Sequence, residues 1–212
     1  MPYKDRIRKI LSPAERKVFS RLNSPQKIQT FLESIPINFE RKGETNLSPR
    51  QVLKRLQAHC FEGAVFAAVA LAYHGHRPLL MDFATAYDDE DHSVALFKKN
   101  GLWGAISKTN HAVLRYRDAV YKSPRELAMS FFHEYYMWDG RKSLRAYSAP
   151  FDLSKFKPEN WVIRDDSDQA LDWLMKALAH SRYSEIAPYK AIKSIRPATK
   201  FERKALRLIE WK

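Results

Sequence analysis

The chain has 212 residues, 45% of them hydrophobic and 13% aromatic, with a formal net charge of +13. That is enough apolar material for one ordinary domain to bury a core unaided, which excludes global disorder. The single cysteine excludes an internal disulfide and an all-cysteine zinc site, and no apolar run is long enough to span a bilayer.

The amino-terminal stretch MPYKDRIRKILSPAERK is charged and lacks the apolar core of a secretory leader, so a cytoplasmic location is expected, where a lone thiol stays reduced. Ser12-Pro13, Ser24-Pro25 and Ser48-Pro49 each predict a helix start. Serine caps a free N–H, and proline occupies the first turn, where no N–H is needed. Glu15 and Gln51 complete capping boxes three residues after their serines. Helices are predicted over 12–22, 24–34, 48–58 and 60–74, the last closed by Gly75. A break at His59–Cys60 would expose fresh N–H groups at Cys60. RPLLMDFA (77–84) reads as a buried strand and HSVALFK (92–98) as a second; Asn100-Gly101 is the turn into LWGAIS (102–107). AVLRYR (112–117) alternates as a further strand, and Ser123-Pro124 with Glu126 opens a helix over 123–137. The segment 148–165, with Pro150 and Pro158, reads as a connector, followed by amphipathic helices over 166–181 and 199–212. The fold class is therefore α+β, an antiparallel sheet packed on the helix that carries the cysteine.

Cys60 stands at the start of that helix. Unpaired N–H groups and the positive dipole end favour thiolate over thiol, and the same N–H groups can bind the oxyanion of a tetrahedral intermediate. The thiolate needs a base, usually histidine. His92 opens a strand and is the preferred candidate. His59, adjacent in sequence, is expected to project elsewhere, and His74 and His76 lie beyond the far end of a helix about 20 Å long. Alone, Cys60 reads as a small core residue and His92 as a strand-end histidine. Together, at helix start and strand start in this order, they read as nucleophile and base.

Several other features are weaker. The acidic run Tyr87-Asp88-Asp89-Glu90-Asp91 reads first as a solvated loop. Its functional readings are a counter-ion for His92, from Asp91 or a neighbour, or a receptor for a cationic amine; its spacing fits no standard metal loop. Asp82 is set inside a strand, and either faces the site or pairs with an arginine. Trp103 reads as core, and Arg115 and Arg117 as a shared polar strand face. FFHEYYMW (131–138), with His133, reads as packing or interface. The basic residues are dispersed and interleaved with apolar ones, so a solvated basic exterior is preferred to a nucleic-acid surface.

HCFEGAVFAAVALAYHGHRPLLMDF, followed by HSVALFKKNGLWGAIS, resembles the nucleophile helix, histidine strand, turn and tryptophan-bearing return strand of the transglutaminase-like superfamily, over residues 47–120. The wording AHCFEGA through WGAISKTNHAVLRYRD is similar to an uncharacterised bacterial branch of it. The resemblance implies a papain-like core at 47–147 between helical extensions at 1–46 and 148–212. It implies attack by Cys60 on a carbonyl carbon with His92 shuttling the proton, and a third residue, normally aspartate on the return strand, orienting the histidine. Here the chain departs. The register places that slot on Ser107, with Asn110 three residues on. Asn110 is preferred, with Ser107 as rival, because an amide reaches further than a hydroxyl. The expected function is cleavage or exchange of an amide bond in a peptide or other amide substrate through a Cys60 thioester, with no cofactor, no metal and no membrane partner. The rivals are a catalytically degenerate binding module for a partner or polyanion, and a metal-dependent hydrolase using His92 and the acidic run.

Overall fold

In the computed structural model, which describes residues 1–212, the chain begins with a helix that no serine–proline signal announces, α1 (Tyr3–Ile10), whose Ile7 is fully buried. The serine–proline pairs then cap α2 (Pro13–Arg21), α3 (Pro25–Ser34) and α4 (Pro49–Arg55): Ser12, Ser24 and Ser48 accept the N–H groups of Glu15, Lys27 and Gln51. Leu56 is in the left-handed region (φ 51), which ends α4, and the chain turns through 57–59 into α5 (Cys60–Tyr73). Every residue of α5 from Phe61 to Ala72 is buried, and a helix apolar on all sides belongs at the centre of a fold.

The sheet follows. It is built from β1 (Leu79–Ala84), β2 (His92–Lys99), β3 (Leu102–Ile106), β4 (Arg117–Tyr121), β5 (Ala146–Ser148), β6 (Phe151–Asp152) and β7 (Tyr183–Glu185). All neighbours are antiparallel, in the order β4-β3-β2-β1-β5-β7, and β6 also pairs with β1. Asn100 and Gly101, both at positive φ, make the tight turn between β2 and β3 that the Asn-Gly pair predicts. Strand alternation divides the core. Leu80, Ala95, Phe97 and Ile106 pack with α5, while Met81, Phe83, Val94, Leu96 and Ala105 pack with Leu127, Ala128 and Phe131 of α6 (Pro124–Phe132). The structure is thus a mixed α/β chain with a seven-stranded antiparallel sheet covered on both faces.

Several expected elements differ. Residues 112–114 form a 3-10 turn, and the strand comes later, at Arg117–Tyr121, where the Arg117 guanidinium ties back to the carbonyls of Val113, Arg115 and Tyr116. Helix α6 stops at Phe132, after which Tyr135 accepts the N–H of Ser143. The segment 148–212 is not simply helical. It supplies β6 and β7 to the sheet, its predicted helix shortens to α7 (Asp172–Ala179), and a short α8 (Tyr189–Lys193) follows. Residues 199–212 give only a 3-10 stretch, Glu202–Arg207, and an extended tail that pairs with residues 110–112.

Candidate active site

Cys60 is the first residue of α5 and is half-buried. The helix supplies no acceptor for its backbone N–H, and no other group in the chain does so. His92, the first residue of β2, is 6% exposed. Its ring stacks on Phe83 (6.5 Å between centroids) and meets Tyr135 (6.4 Å). His92 Nε2 is 2.8 Å from Ser107 Oγ, and Ser107 Oγ is 2.8 Å from the Leu114 carbonyl. Ser107 has one hydroxyl proton and Leu114 O can only accept, so Ser107 donates to Leu114 and accepts from His92. That fixes Nε2–H on His92 and leaves Nδ1 unprotonated, the tautomer a proton acceptor requires.

Ser107 is itself clamped. The Gln29 side chain, from α3, accepts from Ser107 N–H (3.0 Å) and donates to Ser107 C=O (2.9 Å). The neighbouring Lys108, 2% exposed, donates to the carbonyls of Leu32 (2.7 Å) and Ile35 (2.5 Å) where α3 ends. Burial lowers its ammonium to a pKa of about 8. Asn110 borders the same cleft as Cys60 and His92 but is bonded to the tail. Its amide donates to Trp211 C=O (2.9 Å) and accepts from the N–H groups of Glu210 (3.1 Å) and Trp211 (2.7 Å), so it holds the carboxyl-terminal tail and makes no hydrogen bond to His92. Of the sequence-derived residues, the structure brings Cys60, His92 and Ser107 together and leaves Asn110 on the cleft wall, bonded to the tail.

His59 is not directed away. It lines the same cleft as Cys60, while its Nε2 is 3.0 Å from Thr45 C=O and 3.3 Å from Glu62 Oε1. Glu62 is fully buried and accepts from Thr45 Oγ1 (2.7 Å), Leu47 N (2.9 Å), His59 N (3.0 Å) and Asn38 Nδ2 (3.1 Å). The signal was present in the sequence as His59-x-x-Glu62, the spacing of a capping box. Burial alone would raise the Cys60 pKa. Hydrogen bonds and positive charge from His59 and His92 overcome it and bring the thiol down to about 5. Burial opposes charging of His59, but Cys60 and Glu62 raise it to about 9.

His59, Cys60 and His92 open into a cleft of about 860 Å³, walled by residues 37–40, the acidic run 87–91, residues 108–111 and residues 134–138. Asp91 does not serve as a counter-ion for His92. Its carboxylate accepts from Thr85 N (2.8 Å) and Thr85 Oγ1 (3.1 Å), and only its carbonyl approaches the thiol, 4.0 Å from Sγ. Asp88 pairs with Arg141 at 2.5 Å. Nowhere do three or more histidine, cysteine or acidic side chains come together as a metal site. Asp82 bonds to Ser93 Oγ (2.6 Å) and Tyr183 OH (2.7 Å) rather than to an arginine. Trp103 sits near the hairpin's turn under Lys98, and His133 contacts Lys142. Arg115 pairs with Glu210, and Arg117 with Glu134. No helix is long and apolar enough to cross a membrane.

No family model matches the chain, and no curated protein matches it in sequence. A solved structure, Legionella pneumophila LapG (EGTA-treated), is similar at 11% identity and a TM-score of 0.38, with 83% of this chain and 95% of that chain covered. A likeness that loose adds nothing to the architecture already described.

Proposed function

We propose that this chain is a transglutaminase-like cysteine enzyme that opens an amide bond through a thioester on Cys60, with His92 as base and acid. The observation that carries this reading is a thiol at a helix start, held well below its ordinary pKa between two imidazoles at the head of a cleft. Cys60 Sγ attacks the carbonyl carbon, and the free N–H of Cys60 receives the oxyanion. The thiol proton, taken up at His92 Nδ1, goes to the departing amine. The C–N bond breaks and leaves an acyl-thioester. His92 then deprotonates water, or an acceptor amine, to release the acyl group. Gln29 and Lys108 brace the segment that carries Ser107, and Ser107 holds the His92 tautomer.

A single observation favours the rival, a degenerate binding module: a serine, with no full charge, stands where the family places aspartate. A simple activated ester separates the two. Incubation with p-nitrophenyl acetate should release a burst of nitrophenol and leave one acetyl group on Cys60. That group should be removed by neutral hydroxylamine and be absent from Cys60→Ala. No hydroxylamine-sensitive adduct on a correctly folded chain would sink the enzyme reading. Added amines then separate hydrolysis from acyl transfer by the product formed.

A further inference from the structure

The site contains two imidazoles and one thiol, and the two are not equivalent. His92 has a neutral partner, Ser107, whose own proton is committed to Leu114. His59 has anionic surroundings. Its Nε2 lies 3.0 Å from a carbonyl, 3.3 Å from the fully buried Glu62 carboxylate and 3.9 Å from Glu40. A carbonyl only accepts, so Nε2 carries a proton. With the buried Glu62 carboxylate 3.3 Å from that nitrogen, the charged ring is the favoured form, and it lines the same cleft as Cys60. His59 is then an imidazolium next to the thiol. Four donors converge on the Glu62 carboxylate: Thr45 Oγ1, Leu47 N, His59 N and Asn38 Nδ2.

We propose that His59, kept as an imidazolium by the buried Glu62, is the resting counter-charge of the Cys60 thiolate, which leaves His92 free to move protons. The inference rests on Cys60 being the nucleophile. The carboxylate that the superfamily carries behind the strand histidine is replaced by one on the nucleophile's own helix, acting through the neighbouring histidine. The resting thiolate then persists whether His92 is protonated or neutral, and in the acyl-enzyme, where the sulfur is a thioester, His92 is the neutral base that activates water. The other groups facing the thiol do not supply this charge. Asp91 presents a carbonyl, and Tyr135 packs its ring on His92. The raised His59 pKa agrees with the geometry.

The test is the pH dependence of iodoacetamide alkylation of Cys60 in the full-length wild type, His59→Gln and His92→Gln. The midpoint is the readout, because a thiolate of lower pKa is also less nucleophilic and rates at one pH partly cancel. The wild-type midpoint should lie below neutrality. His59→Gln should raise it by at least about two pH units, toward an ordinary thiol. His92→Gln should move it by less while abolishing turnover. The same folded wild type, with histidine side chains labelled with nitrogen-15, should show His59 protonated on both nitrogens at neutral pH; this holds even if a variant folds poorly. A low wild-type midpoint raised mainly by His92→Gln, or a neutral His59, overturns the proposal and leaves Cys60 and His92 as nucleophile and base. An ordinary wild-type midpoint overturns both.

Discussion

Gly63→Ala tests the central packing of the site, because helix propensity and packing predict opposite signs. Gly63 lies inside α5, where alanine is favoured over glycine by about 1 kcal/mol. A Cβ there would stand 2.3 Å from Lys108 Cβ and 2.9 Å from Lys108 Cγ. Carbon atoms need roughly 3.5 Å, so the Lys108 segment would have to retreat by about 1 Å. It is poorly able to. Lys108 Nζ is tied to Leu32 and Ile35, and the Ser107 backbone to Gln29 on both sides. Overpacking costs about 1–3 kcal/mol and one or two lost hydrogen bonds about 1 kcal/mol each. After the helix gain, net destabilisation should be about 2 kcal/mol. Urea unfolding followed by tryptophan fluorescence reads it as a lower midpoint at unchanged slope, with buried Trp161 as a reporter. The same retreat carries Ser107 from His92, so ester turnover should fall too. An unchanged or raised midpoint would refute the rigidity assigned to the 107–108 segment.

Ser107→Ala removes the acceptor for His92 Nε2–H and should cut turnover by about 10- to 100-fold, part of what a positioned base contributes. Ser107→Asp should not create the carboxylate–histidine pair of the transglutaminase-like pattern. The buried carboxylate would face Leu114 C=O, and denaturant titration should show a loss of about 2 kcal/mol or more with no gain in rate. Asn110→Ala should free the tail from Leu208 onward to carboxypeptidase while leaving the Cys60 alkylation midpoint unchanged; a shifted midpoint would return Asn110 to a role at His92. The buried Lys108 ammonium titrates near 8 in the folded chain and near 10.5 when unfolded, so between those values the unfolded chain binds more protons. Stability from this group should therefore rise with pH across that window, by up to about 3 kcal/mol, and the rise should vanish from the pH–stability curve of Lys108→Met.

How far the sequence could be read follows from the range of each interaction. Serine–proline caps are settled within four residues, and α2, α3, α4 and α6 start where those pairs stand. The alternation and turn of β2 and β3 are also local, and counting register through that turn led to Ser107. Strands of two or three residues such as β5, β6 and β7 have no periodicity to detect; β5 and β6 exist because β1 offers an open edge, and β7 adds to β5. The reach of the Asn110 amide depended on Glu210 and Trp211, distant in sequence but adjacent in space. Residues 199–212 carry a helical pattern, yet pairing with 110–112 competes with it and prevails. The direction of His59 depended on its extended backbone at the head of α5 and on the Thr45 carbonyl that meets its Nε2, neither of which spacing alone reveals.

The absence of a carboxylate at Ser107 has a physical logic. That position is buried between the Gln29 amide and the Leu114 carbonyl, with one donor to satisfy and no spare one to stabilise an anion. A charge there would be desolvated without compensation. Glu62 sits in the opposite environment, in the first turn of α5, where the helix dipole favours negative charge and backbone N–H groups of Leu47 and His59 point at it. The fold can hold an anion at the helix start and not at the strand. On the proposed reading, His59-Cys60-Phe61-Glu62 hold a cation, a nucleophile, a core anchor and an anion on one turn, and only the mobile proton is left to the sheet. Such a site tolerates serine at the strand position because His92 needs only the right tautomer, and a hydroxyl whose proton is already spoken for enforces that as firmly as a charge.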